Sequence, residues 1–182
     1  METIHTLRPT GINTRDMMYY GWPNLAGNCY KNVNEATKSE TDYNYNSDPS
    51  GVQTASVLYT LETYSGGDAI SRIILKGYYK VINTGGGSGA QARFRIKTGG
   101  TIYEDSFFNP DTSAYTLYSK DYTTNPKTGN PWSAAEVNAL AAGDSLQSIW
   151  TDANNSRSYC CQFWVTVVEA AVESGGNFFL VM

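Results

Sequence analysis

A strict alternation of apolar and polar residues over positions 70–82 constrains the fold of this chain more than any other feature. The residues on the apolar side are Ile73, Leu75, Gly77, Tyr79 and Val81. Successive side chains of a β-strand point to opposite faces, whereas the faces of a helix repeat every ~3.6 residues. The pattern therefore predicts a strand with one buried face and one largely polar face.

Other segments repeat this pattern between turns rich in glycine. The further predicted strands are 56–63, 93–97, 102–108, 113–120, 145–150 and 159–167. The composition agrees, because only 16% of the residues are charged while Tyr occurs 14 times and Gly 17 times, a bias typical of strands and tight turns. Seven or eight short strands of this kind predict an all-β fold, an antiparallel β-sandwich whose two inner faces bury the apolar stripes.

One short helix is predicted near 133–142. Ser133 and Glu136 have the spacing of a capping box, in which each side chain binds a backbone N–H group of the other residue. Alanines follow, and Gly143 suits the position just after a helix end. A helix this short must pack against a sheet to persist.

The length of 182 residues favours one domain. Residues 1–24 lack sustained periodicity but carry several aromatic residues, so we expect an extended N-terminal assembly arm followed by a sandwich over 25–182. No run approaches the ~20 apolar residues of a transmembrane helix, and the first residues do not resemble a secretory signal. We therefore expect a protein that is made in a cytosol and does not bind membranes.

Charge and cysteine content exclude further classes. The net charge is −4 and the pI is about 4.9, so the molecule as a whole should not attract nucleic acid. Three cysteines occur, at 29, 160 and 161. An odd number with two adjacent members is no disulfide framework, and free buried thiols are expected.

Little in the sequence supports catalysis or a cofactor. His5 is the single histidine and lies in the expected arm, so a histidine-based triad or metal site lacks its residues. No spacing nominates a pair among the 17 acidic residues for glycoside hydrolysis. Residues 85–89 are glycine-rich but no Lys-Ser or Lys-Thr follows, which favours a hairpin loop over a phosphate loop. We predict no catalytic residue, no cofactor and no enzyme.

Residues 42–48 place oxygen-bearing side chains at every second position, as a calcium loop does. Ser47 stands where such a loop has Gly, and Gln53 stands where it has Glu. A turn-rich loop is the expected structure, and calcium binding is left as an alternative.

Basic residues are concentrated between Ile70 and Lys97, a segment that contains no acid. They are Arg72, Lys76, Lys80, Arg93, Arg95 and Lys97. Their alternation places them on the outward face of two strands that we expect to be neighbours. Like charges on adjacent strands repel unless water or acids lie opposite. The face is therefore either solvated and partly neutralised by acids such as Glu62 or Glu104, or a docking face for an acidic partner.

Exposed aromatic residues permit a further interpretation, because Tyr and Trp rings can stack on sugars. The residues considered for such a platform are Tyr43, Tyr45, Tyr78, Trp132 and Trp150. Composition does not separate a glycan-binding platform from core or interface aromatics, so carbohydrate binding stays an alternative function.

Three stretches, taken in order, resemble a known group of proteins. They are Leu7-Arg8-Pro9-Thr10-Gly11 with Trp22 and 30–35, then 70–82 with a basic strand and 99–103, and finally Asn125-Pro126-Lys127-Thr128-Gly129-Asn130-Pro131-Trp132-Ser133 before the capped helix. This order is similar to small virion structural proteins of tailed bacteriophages. The resemblance covers roughly residues 7–170, and its most specific part is the last stretch, where prolines rigidify the approach to the helix cap.

The resemblance implies a jelly-roll sandwich that is a structural component of a virion, assembled in the bacterial host cytoplasm. Its partners would be copies of itself and other virion proteins of the head or tail. The expected interface residues are Met17, Tyr19, Tyr20, Trp22, Arg72, Lys76, Lys80, Arg93, Arg95, Lys97, Phe178 and Phe179. A carbohydrate- or receptor-binding module is the alternative.

Overall fold

The computed structural model describes residues 1–16, 19–20, 26–46, 51–67, 69–84, 89–151 and 154–171. Its strands are β1 (Ile4–Leu7), β2 (Pro9–Asp16), β3 (Tyr19–Tyr20), β4 (Asn44–Tyr45), β5 (Gly51–Leu61), β6 (Ile70–Thr84), β7 (Gln91–Thr98), β8 (Thr101–Glu104), β9 (Thr116–Tyr122), β10 (Ala141–Thr151) and β11 (Asn154–Glu169). A 3₁₀ segment spans Ala26–Asn32, and helix α1 spans Ala134–Asn138. No helix in these ranges is long and apolar enough to cross a membrane.

The strands pair antiparallel and form two layers. In the first sheet the order is β2-β5-β10-β7-β8. In the second sheet β6 lies between β9 and β11, and the far edge of β11 pairs with β1 and with β4, which in turn pairs with β3. The layers are joined where β10 turns into β11 and Ile149 pairs with Ser156.

Aromatic side chains from both sheets meet in the core. The ring centroids of Tyr59 on β5 and Phe163 on β11 are 5.5 Å apart, and those of Tyr79 on β6 and Phe94 on β7 are 5.7 Å apart. All four side chains are buried, so the inner faces of the two sheets pack on each other. The prediction of an all-β, antiparallel sandwich is confirmed.

The predicted helix is present but shorter than expected. The Ser133 side chain accepts a hydrogen bond from the Glu136 N–H (3.3 Å), and the Ser133 N–H donates to the Glu136 carboxylate (3.0 Å), which completes the capping box. An extension to 142 with Gly143 as its end is wrong, because 141–143 lie in β10 between β5 and β7. A Cβ at Gly143 would collide with the Val57 carbonyl oxygen. Pairing on both sides therefore outweighs the helix propensity of the alanines.

The N-terminal segment belongs to the sandwich, so a boundary between an arm and a domain at residue 24 is wrong for the described part. β1 pairs with β11 in the second sheet, and β2 pairs with β5 in the first. Leu7 between them is buried. The register of β2 shifts twice, between Pro9 and Gly11 and between Ile12 and Thr14. Such irregularities disrupt the period of two that identifies a strand in a sequence.

The three cysteines are free and buried, as predicted. An irregularity between Cys160 and Gln162 changes the phase of β11. As a result Cys160 joins the main core, whereas Cys161 packs with Tyr115 and Tyr159 in a separate cluster. The inward residues of β11 are therefore Cys160 before this irregularity and Phe163, Val165 and Val167 after it.

Candidate functional site

The predicted basic surface is divided between the two outer faces of the sandwich. Arg72, Lys76 and Lys80 lie on β6 in the second sheet, and the basic residues of β7 lie in the first. The alternation was interpreted correctly, but β6 and β7 pair with different strands instead of with each other. A single basic face made of two neighbouring strands is therefore wrong.

Most of these cations have partners within the chain. The guanidinium groups of Arg93 and Arg95 lie 2.5 Å and 2.8 Å from the two carboxylate oxygens of Glu104. Arg72 bridges Glu2 at 3.5 Å and Asp121 at 3.7 Å. The neutralised alternative is therefore favoured, with Glu104 in the expected role.

The remaining basic residues differ from one another. The Lys80 ammonium lies 4.4 Å from the centroid of the Tyr115 ring, and the Lys97 ammonium donates to the Asn13 side chain at 3.3 Å. Lys76 forms no ion pair with any residue that the structure describes. Lys76 is thus a basic residue of this set whose charge is not neutralised by a described residue.

The other predicted interface residues lie mostly outside the described ranges. Met17, Trp22, Phe178 and Phe179 are in this group. The backbones of Tyr19 and Tyr20 form β3, which pairs with β4 at the margin of the second sheet.

The expected sugar-binding aromatics separate into different environments. Trp132 is buried, and its indole N–H donates to the Tyr122 carbonyl oxygen at 3.0 Å, so it belongs to the core. The Tyr43 and Tyr45 rings pack against Tyr159, with centroids 5.1 Å and 5.4 Å away. The side chain of Trp150 lies outside what the structure describes. Tyr78 lines an open cavity.

That cavity is a groove on the outer face of the second sheet, with a volume of about 500 Å³. The residues lining it are Thr6 and Arg8 at the end of β1, Ala36, Thr37 and Lys38 in the loop before β4, Tyr78 on β6, and Gln162 and Trp164 on β11. We call it the Trp164 groove. Its floor is built on central strands of a sheet, and such strands hold side chains more rigidly than loops do.

Two aromatic rings form the floor of the Trp164 groove. The centroids of Tyr78 and Trp164 are 5.9 Å apart, and their planes make an angle of 37°. The Lys38 ammonium lies 5.2 Å from the Tyr78 centroid and pairs with Glu40 at 2.6 Å. Gln162 fixes the loop above the floor, because its amide donates to the Glu35 carbonyl oxygen at 2.6 Å. The groove therefore combines a flat apolar base with polar walls.

Sequence reasoning missed Trp164 because it followed the inward residues of β11. Phe163, Val165 and Val167 are buried, whereas Trp164 is half-buried and faces outward. A large aromatic at the polar phase of an alternating strand was the signal that could have found it.

Two of the residues considered for calcium, Asn44 and Asn46, use their side-chain amides in hydrogen bonds within the fold, whereas Ser47 and Asp48 lie outside the described residues. The side-chain amide of Asn44 donates to the Tyr59 hydroxyl at 2.9 Å and to the Cys29 carbonyl oxygen at 3.1 Å. That of Asn46 donates to the Gln53 carbonyl oxygen at 2.9 Å. Both residues are buried. Among the described residues no three His, Cys, Asp or Glu side chains are grouped so as to hold a metal ion.

One carboxyl is fully buried between the sheets. Asp144 accepts a hydrogen bond from the Tyr79 hydroxyl at 3.1 Å. Burial raises the pKa of the Asp144 carboxyl to about 6, although hydrogen bonds from Cys160 and Tyr79 and the charge of Arg95 oppose the rise. The carboxyl has no route to a substrate in the Trp164 groove, because it faces the interior and the groove lies on the outer face. Its role is structural.

No protein-family model matches the chain, and no curated protein matches it either.

Proposed function

We propose that the chain is a structural component of a tailed bacteriophage virion, which binds copies of itself and neighbouring capsid or tail subunits. The proposal rests on two edge strands, each of which is paired on one side only in the part of the chain that the structure describes. Among the described strands, β8 pairs only with β7 and β9 pairs only with β6. Ile102 on β8 and Leu117 on β9 are 41% and 47% exposed. An edge strand with exposed apolar side chains is a template for association with another chain.

The segment with the most specific resemblance to virion proteins, residues 125–133, is held in place by hydrogen bonds. The Gly129 N–H donates to the Asn125 carbonyl oxygen at 2.7 Å, and the Asn125 side chain donates to Glu136 at 2.8 Å. The indole of Trp132 is anchored on β9 through Tyr122. The segment thus fixes edge strand β9 to helix α1, which supports a structural function for the motif.

Sedimentation velocity over a range of concentrations tests self-association. We expect the wild-type chain to form an oligomer and Leu117→Lys or Ile102→Lys to shift it toward the monomer with little change in melting temperature. Ile74→Lys is the matched control, since Ile74 is partly exposed but is paired on both sides, with Thr166 of β11 and Asp121 of β9. A wild-type chain that stays monomeric, or an oligomer unaffected by both edge variants, contradicts the proposal.

Carbohydrate or receptor binding is the second proposed function. The Trp164 groove favours it, because ligand sites are concave, with an aromatic lining and a few convergent polar groups. This function does not require the edges of the sheets and is compatible with the same virion.

A further inference from the structure

We infer that the Trp164 groove binds an acidic sugar of a glycan, with the sugar ring on Trp164 beside Tyr78 and the carboxylate on Arg8. This inference rests on the second proposed function, carbohydrate binding, and names the class of sugar; it does not depend on the assembly role. It rests on the floor of the groove, on polar groups that have no partner in the described chain, and on the local charge.

Two aromatic rings line the floor, and the Lys38 ammonium lies over one of them, Tyr78. Trp164 and Tyr78 project from the neighbouring strands β11 and β6, and both are half-buried. The face of an aromatic ring carries partial negative charge. The C–H groups on one side of a pyranose carry partial positive charge, so they pack favourably on such a face. The Trp164 ring, with Tyr78 beside it at 5.9 Å, offers a surface for one sugar unit.

The walls carry hydrogen-bonding groups that the described chain does not use. The Trp164 indole N–H, the Gln162 side-chain oxygen and the Thr6 and Thr37 hydroxyls have no hydrogen-bond partner within the described ranges. Polar groups in a cleft are normally satisfied by protein, water or ligand. Sugar hydroxyls both donate and accept, and can therefore pair with each of these groups.

Two cations at or beside the floor, Arg8 and Lys76, form no ion pair with a described residue. The Arg8 backbone N–H donates to Glu62 at 2.9 Å, but the Arg8 guanidinium makes neither an ion pair nor a hydrogen bond with a described residue. Lys38 lies over Tyr78 and is neutralised by Glu40. Lys76 is the cross-strand neighbour of Trp164. A free guanidinium matches a carboxylate with two parallel hydrogen bonds, which selects an acidic sugar over a neutral one.

Nucleic acid fits the molecule less well than a sugar. The chain has a net charge of −4, and polyanion binding depends on an extended positive surface. Arg93 and Arg95 lie in the first sheet and both pair with Glu104, and Arg72 pairs with Glu2 and Asp121, so these charges do not form an extended positive surface. A groove of about 500 Å³ is also of the size that holds a small ligand.

Isothermal titration calorimetry on the full chain tests the inference. The probes are tetragalacturonate with its methyl ester, and 3′-sialyllactose with lactose, so that each acidic sugar has a neutral counterpart. Arg8→Gln removes the proposed carboxylate partner, and Lys97→Gln on the other outer face is its control. Ala36→Trp fills the groove from an exposed loop without changing the sheet, and Ala135→Trp on exposed α1 is its control. Circular dichroism verifies that each variant is folded.

We expect at least one acidic probe to bind saturably and its neutral counterpart to bind at least about tenfold more weakly, the usual range for a charged hydrogen bond. Arg8→Gln should lower the affinity for the acidic probe to that for its neutral counterpart, and Ala36→Trp should abolish binding. Both control variants should bind the acidic probe with the affinity of the wild type. The inference is overturned if neither acidic probe binds, if neutral and acidic probes bind equally, or if folded Ala36→Trp still binds. Tighter binding of single-stranded oligothymidylate than of either acidic sugar would also overturn it.

Discussion

Replacing the buried Asp144 by Asn should change how stability depends on pH. The Asp144 side chain is fully buried in the core, and desolvation raises the pKa of its carboxyl from 3.8 to about 6. A pKa raised in the folded state means that the protonated carboxyl stabilises the fold. This stabilisation is complete below about pH 3.8, declines above it and is lost once the pH passes about 6. A difference of about two pKa units corresponds to about 3 kcal/mol.

The assay is urea unfolding from about pH 4 to about pH 8, followed by tryptophan fluorescence and circular dichroism. The amide of Asp144→Asn does not titrate. The free energy of unfolding of the wild type should therefore fall by between about 2 and 3 kcal/mol relative to that of the variant between these limits, since a small part is already lost at about pH 4. At high pH the variant should be at least as stable as the wild type, because the wild type then buries a charge.

The Tyr79 hydroxyl provides a second test of the same carboxyl. It donates to Asp144 and so lowers the pKa of that group. Tyr79→Phe should therefore move the decline in stability to higher pH. Tyr118→Phe is the matched control, since its ring also packs on Phe108 but its hydroxyl donates to the Asn109 carbonyl oxygen. Parallel pH profiles for the wild type and Asp144→Asn would refute the reasoning.

Three further variants test the fold. Ser133→Ala removes the N-cap of α1 and should lower the free energy of unfolding, measured in urea, by about 1 kcal/mol. An unchanged unfolding midpoint would contradict this. Gly143→Ala forces a methyl group against the backbone of β5 and should lower the free energy of unfolding by more than about 4 kcal/mol. Gly67→Ala is the control, because the space around Gly67 is open and the free energy of unfolding should hardly change. Deleting residues 1–16 removes two paired strands and should give a chain without a cooperative thermal transition. A folded monomer after that deletion would restore the arm as a separate unit.

The sequence predicted strands well where one face is buried and the other is not. β6 and β7 alternate strictly because each lies within a sheet with its inner face on the core. Their membership of opposite layers was not predicted, since it depends on pairing with β11 and β10, which are distant in the chain. Local alternation determines which face of a strand is buried but not which strand lies beside it.

The end of the helix was predicted wrongly because it depends on a contact between segments that are distant in the sequence. The alanines before Gly143 favour a helix locally, and only the close approach of β5 explains why they form a strand. The Trp164 groove shows the same limit, because the amide of Gln162 contacts Glu35 across 127 positions of the sequence. The walls of the groove come from segments that only the folded chain brings together.

Quantitative mass spectrometry of purified phage particles tests the central proposal most directly. Particles would be banded by density, stripped of loosely bound protein with high salt and compared with the soluble fraction of the infected host. A structural component should be present in the washed particles at a constant copy number relative to the other virion proteins. A chain that is found only in the soluble fraction, or whose amount in particles varies from one preparation to the next, would contradict the account.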